Sequence, residues 1–264
     1  MDSATHDDHP GIATAAALRQ AHFHIGVMTL VLTALAATAH ADSWRTSGTL
    51  YMQGAGMDGH TVVNGRKADV DVSFSELWDH LDIAGMMAVR SETDRYALTL
   101  NAMFVGLSAD GTGPNGAFVD ADVTQDLVEL AWSWRLDERY ELYVGGRYQS
   151  LSVDLSIKLP NGASDAAAET KSLFDPIVGA RAAWPVGQAW TLVARADIGG
   201  FGVGSDLTWS ALAAADWSIS ENFGLVLGYR AMDTDYSKGS GADRFEYDVT
   251  ISGPLLGLRY NFNP

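Results

Sequence analysis

Glu129, Glu141, Arg147, Arg181, Arg195, Asp197, Arg230 and Arg259 are the side chains whose type and spacing could do chemistry in this chain. Each falls in a short segment that alternates apolar with small or polar residues, and each lies on the face opposite the apolar one. Tyr51 and Tyr143 share that face. Guanidinium and carboxylate groups enclosed together can behave in two ways. They can line a narrow aqueous passage whose transverse field sorts solutes by charge, or they can pair across the enclosure and fill it. The residue types leave both open, because an enclosed guanidinium finds several acceptors in either arrangement.

Catalytic chemistry has little to stand on. The chain has no cysteine, which excludes disulfides and thiolate metal sites. Past residue 41 the histidines are His60, read as a loop residue, and His80, read in a short helical turn. Neither has a placed partner for a nucleophile–base pair, and no HExxH pattern occurs. Gly111, Gly113 and Gly116 match a dinucleotide-binding fingerprint by letter, but Pro114 and the residues that follow open no helix on those glycines. The glycines from Gly199 to Gly204 lack the Lys-Ser/Thr ending of a phosphate loop and read as a tight outer loop using positive φ. Two acidic sets, Asp233, Asp235, Asp243, Glu246 and Asp248, and Asp110, Asp120, Asp122 and Asp126, do not fit the twelve-residue calcium loop. A solvated face is their default reading, with weak divalent binding the alternative. The expectation is therefore no enzyme, no catalytic residue, no cofactor and no metal site. With 17 basic against 33 acidic side chains, a net charge of -16 also argues against a nucleic-acid partner.

The elements that must carry these residues are strands. The C-terminal third, Phe174 to Phe262, reads as five segments of two-residue period. In the last, Thr250, Ser252, Pro254, Leu256, Leu258, Tyr260 and Phe262 oppose Val249, Ile251, Gly253, Leu255, Gly257 and Arg259. Five further segments of this kind precede them, the first beginning at Trp44. Ten strand candidates result, with eight or twelve as alternatives. The short connections fall near 91–94, 137–138, 186–188 and 218–222, and the long ones near 57–81, 109–121, 155–173, 199–205 and 233–245. Tyr96, Trp132, Trp134, Tyr140, Trp184, Trp190, Trp217, Phe223, Tyr260 and Phe262 gather beside the short turns, as one aromatic girdle at one interface would. The pattern predicts an all-β fold, a closed antiparallel up-and-down transmembrane β-barrel. A soluble barrel would bury the apolar stripe instead of facing it outward. Between strands, Ser73 or Ser75 could cap a helical turn to Leu81, whose Leu77, Trp78 and Leu81 would form a small lid or cover a rim.

Ile25–Ala39 is an apolar run of signal-peptide length ending in Ala39-His40-Ala41, which predicts export with cleavage before Asp42. The division is then 1–41, an N-terminal extension and signal, and 42–264, the barrel. The segments Phe174–Arg181, Arg195–Ser205, Gly228–Arg230 and Gly253–Phe262, with the segment from Val70 through Asp82, resemble a group of uncharacterised outer-membrane β-barrel proteins of Gram-negative bacteria, similar to small porins and surface antigens. The resemblance implies residence in the cell outer membrane, among outer-membrane lipid and lipopolysaccharide, and insertion by the barrel-assembly machinery. It implies no substrate. Members usually end on the aromatic, whereas Asn263 and Pro264 follow Phe262 here. The expected function is porin-like passive passage of small hydrophilic solutes. The alternative is a non-conducting structural or surface-interaction barrel acting through its outer loops.

Overall fold

The computed structural model describes residues 44–63, 66–73, 75, 81–112, 118–161, 163–241 and 244–263. The strands in chain order are β1 (Arg45–Gln53), β2 (Gly56–Val63), β3 (Arg66–Val72), β4 (Leu81–Glu92), β5 (Tyr96–Thr112), β6 (Phe118–Arg135), β7 (Tyr140–Lys158), β8 (Ser164–Val186), β9 (Trp190–Gly200), β10 (Leu207–Ser218), β11 (Phe223–Lys238) and β12 (Phe245–Asn261). All pairings are antiparallel between neighbours from β4 to β12, and β1 closes the sheet by pairing with both β4 and β12. The fold is an all-β closed barrel.

The twelve strands make ten wall positions because β1 and β2 share one and β3 and β4 share another. Gln53 faces Leu255 and Gly56 faces Ser252, so both run along β12 in one register. The break between them sits opposite Pro254. That residue accepts from the Gly54 amide at 2.8 Å but has no N–H to return. On the other flank β1 pairs β4 as far as Tyr51 opposite Met86, and β2 pairs β3 from Met57 opposite Val72.

The expected long loops need correction. Of 57–81, residues through Val72 are largely the β2–β3 hairpin, and His60 is a strand residue. The segment read as a polar excursion at 155–173 is mostly strand too, since Lys158 pairs with Ser164. The 109–121 and 233–245 loops shrink in the same way as β5, β6, β11 and β12 run on. These stretches are polar on both faces, which hides the alternation while leaving backbone pairing intact. Leu81, assigned to a helical turn, opens β4. Leu77, Trp78, His80, Asp243 and the signal run with its cleavage site lie outside the described residues.

Side chains divide cleanly by face in the middle of the wall. Leu130, Leu142, Val178, Leu192, Ile198, Leu227, Leu256 and Leu258 project outward and are exposed, as are nine of the girdle aromatics; Trp184 is half-buried against Tyr140. Register places the aromatics beside each other across strands. Trp190 stacks on Trp217 at 5.7 Å, and Phe223 meets Tyr260 edge-on at 5.0 Å. Such cross-strand pairs join the short-turn end into one belt.

The β6–β7 turn is held by Asp137, whose Oδ1 accepts from the Arg139 and Tyr140 amides at 2.7 and 2.8 Å. Those two bonds hold its carboxyl below the ordinary 3.8. A depressed carboxylate stabilises the turn above its unfolded-state value and loses that contribution as pH falls through the folded value. Hydrogen-exchange protection of the Arg139 and Tyr140 amides should therefore weaken with acidification below about pH 4, and Asp137→Ala should remove both the protection and its pH dependence. Equal protection at pH 3 and pH 6 in wild type would contradict this role.

Candidate functional site

The charged residues singled out in the sequence converge inside the barrel. Glu129 on β6, Arg147 on β7 and Asp197 on β9 are fully or almost fully buried. The Arg147 guanidinium donates to Glu129 Oε2 through Nε at 3.1 Å and Nη2 at 2.8 Å, and to Asp197 Oδ1 at 2.7 Å. Its remaining nitrogen reaches Thr208 Oγ1 on β10 at 3.4 Å. One side chain thus ties β6, β7, β9 and β10 across the intervening β8. Arg195 donates to Glu129 Oε1 and, through Nε, to the Tyr143 hydroxyl at 2.8 Å. Tyr143 in turn donates to Asp197 Oδ2 at 2.8 Å. The ring fits because its wall neighbour is a glycine. A Cβ on Gly179 would lie 2.5 Å from Tyr143 Cζ and 2.4 Å from the Ala196 carbonyl oxygen.

A second cluster lies nearer the short turns. Glu141 Oε1 accepts from Arg90 at 2.6 Å and Arg181 at 3.1 Å, while Arg90 also pairs with Glu92 at 2.8 Å. Arg135 stands 3.8 Å from the same Glu141 oxygen and donates to the Thr93 carbonyl. Arg259 is bidentate to Asp216 at 2.7 and 3.0 Å. Of the expected set, Arg230 stands apart, donating through Nη2 to Met232 Sδ at 3.8 Å.

Sequence reasoning did not select Arg90, Glu92, Asp175 or Asp216, although Asp175 alternates in phase with Arg181, which it placed inward. Asp175, fully buried, accepts from the Ser205 amide at 2.7 Å and hydroxyl at 2.9 Å. It pins the loop after β9, where Gly200, Gly202 and the non-glycine Phe201 take positive φ. No sequence pattern announces that pair, which joins positions thirty residues apart.

Above the charge network, on the long-hairpin side, Met103, Leu127 and Met232 pack together with Met86, Val105 and Ile251 around them. These come from β4, β5, β6, β11 and β12, so the apolar layer spans the lumen. On the other side a cavity of ≈ 440 Å³ runs among Tyr51, Asn101, Tyr143, Arg195 and Arg230 towards Arg90 and Asn261 at the short-turn end.

Several acidic residues of the long hairpins are engaged. Asp206 accepts from the Ser237 amide and hydroxyl, Asp233 accepts from Thr250 Oγ1 at 2.6 Å, and Glu246 meets His60 at 3.3 Å and Arg244 at 2.6 Å. Asp235 has its carboxyl pushed up, first by burial and then by Asp248, Asp206, Glu246 and Asp233. Among the described residues no His, Asp and Glu form a metal-holding group.

Among known proteins, no family model and no curated protein matches the chain. Solved structures do. The outer membrane protease OmpT from Escherichia coli aligns with TM-score 0.47 and 10% identity over 84% of this chain and 98% of that one. The attachment invasion locus protein Ail of Yersinia pestis, crystallised with a heparin analogue, aligns with TM-score 0.35 and 13% identity over 83% and 99%. The translocator domain of the autotransporter NalP from Neisseria meningitidis gives TM-score 0.31 and 13% identity over 94% and 99%. A likeness at these levels carries nothing about a site or an activity.

Removing one partner from a buried network leaves the others uncompensated, whereas an exposed pair is screened by water. Arg147→Ala should lower the unfolding free energy by about 3–5 kcal/mol. Arg45→Ala, which loses a surface contact to Asp94 at 3.4 Å, should change it by less than about 1 kcal/mol. Urea unfolding of lipid-reconstituted protein measures both, and equal effects would mean that the network contributes nothing beyond surface pairing.

Proposed function

We propose that the protein is an outer-membrane barrel with a sealed lumen, seated in lipid by its apolar band and acting without catalysis through the polar hairpins that rise past the band. The observation that carries this reading is the complete burial of Arg147 between Glu129 and Asp197, directly beneath the apolar layer of Met103, Leu127 and Met232. A passage for hydrated solutes needs a continuous aqueous path, and here the charged groups that could line one, Arg230 apart, bind carboxylate to guanidinium. The membrane assignment rests on the exterior. A closed wall leaves no unpaired edge, and its outward mid-section is apolar and bounded by aromatics at the short-turn end. Short turns then face the periplasm and long hairpins the outside.

The hairpins have the form of an interaction surface. Residues 164–173 of β8 pair with β7 and rise beyond the β8–β9 ladder, which begins at Ile177. Together with β2–β3, β5–β6 and β11–β12 they present a largely acidic rim. Outer-membrane lipid and lipopolysaccharide are the partners this position gives them, and insertion is assigned to the barrel-assembly machinery. Passive passage of small solutes is the competing reading, with Glu129, Glu141, Arg147, Arg181, Arg195, Asp197, Arg230 and Arg259 as its lining.

Planar-bilayer recording separates the two. Purified wild-type protein should insert without unit conductance steps at low and high salt. Regular ohmic steps, with an ion preference that moves towards cations in Arg195→Ala, would replace the sealed barrel with a channel.

A further inference from the structure

We propose that the cavity in the short-turn half of the barrel is a binding site for a small oxyanion, a carboxylate or phosphate, anchored by Arg230. The argument begins with charge balance. Glu92 and Glu141 face three arginines, Arg90, Arg135 and Arg181. Glu129 and Asp197 balance Arg147 and Arg195, and Asp216 balances Arg259. Arg230 has no carboxylate in any of these pairs. With the fully buried Asp175 counted too, seven guanidiniums face six carboxylates, and Arg230, which Glu129 reaches only at longer range, carries the excess in an enclosed space where an uncompensated charge is costly.

Arg230 is the group that locates the ligand. It is 7% exposed and lines the cavity, and its hydrogen bond goes to the thioether of Met232, a weak acceptor. A guanidinium carries five donors in a planar fork suited to two oxygens of one anion. The space before it is furnished to match. Tyr51, Asn101, Ser210 and Arg195 border the same cavity, and Asn101 already accepts from the Tyr51 hydroxyl at 2.6 Å, leaving its amide donors for a ligand. A volume of ≈ 440 Å³ lies within the range of small-molecule sites. The cross-strand neighbour of Arg230 on β10 is Leu212, which offers no counter-charge although it borders the cavity too.

The cavity is blind only if the sealed-lumen reading holds, yet oxyanion binding needs no such closure, so calorimetry and conductance can fail separately. Isothermal titration of the purified barrel in detergent uses inorganic phosphate and succinate as probes, at constant ionic strength against chloride. Wild type should bind at least one of them saturably. Arg230→Met should weaken that binding tenfold or more. Leu212→Glu keeps Arg230 and places a carboxylate directly across from it, so it should abolish binding while the protein remains folded and at least as resistant to urea. Binding of phosphate alone or succinate alone assigns the oxyanion. No saturable heat from either probe in wild type, or unchanged affinity in a folded Leu212→Glu protein, overturns the proposal.

Discussion

The structure depends on closure of the backbone ladder. In a wall whose outward side chains are apolar, no water is at hand to satisfy a free N–H or C=O, and each must find its partner within the sheet. β1 supplies that closure by pairing with β4 on one side and β12 on the other. The weakest point is opposite Pro254, which cannot donate. The chain answers by breaking the strand at Gly54 and resuming it at Gly56 without a change of register. Because register survives the break, the inward phase is the same from end to end, and every inward charge is delivered to the same interior.

That interior shows why charge and glycine occur together. A cross-section of this size is filled either by many apolar side chains or by a few long polar ones with room to cross it. Gly179 opens the wall beside Tyr143, whose hydroxyl then joins Arg195 to Asp197. Gly145 permits a similarly close approach of β6, since a Cβ there would lie 2.3 Å from the Leu130 carbonyl oxygen. Buried ion pairs are poor sources of net stability, but they are sensitive to register. A slip of one residue along β7 would turn Arg147 and Glu141 out towards the apolar band and bring Leu142 and Val144 inside. The network therefore selects one pairing among the many that ten similar alternating strands would otherwise allow.

Much of this was legible in the sequence. The two-residue period gave the wall, because one face must be apolar and the other must not. Trp132, Trp134 and Tyr140 lie on the face assigned to them, and so do Glu129, Arg147 and Arg195. What escaped was of two kinds. The long hairpins are wet on both faces, so segments such as His60–Val63 and Ser164–Glu169 carry no hydrophobic alternation, and a polar strand reads as a loop. Contacts across the lumen also escaped. Face is a local property of the chain, whereas the meeting of Arg147 with Asp197 depends on how many strands separate them and on the stagger of each ladder. For the same reason the sequence left passage and plugging undecided, since both call for arginine on the inner face.

Charge is also ordered along the axis. The basic groups concentrate towards the short turns, where Arg90, Arg135, Arg181 and Arg259 share one end of the lumen, with Arg230 deeper, beside Met232 of the apolar layer. The acidic ones concentrate in the hairpins, where Asp206, Asp235, Glu246 and Asp248 lie close enough to raise the Asp235 carboxyl. The net charge of -16 is thus a property of the hairpins more than of the interior. An anion arriving on the hairpin side meets a repelling field and, beneath it, a layer of methionine and leucine. One arriving from the short-turn side meets arginines first, at the mouth of the cavity that holds Arg230. The direction of approach follows from where the charges sit, and an oxyanion bound at Arg230 would be met from the short-turn end of the barrel.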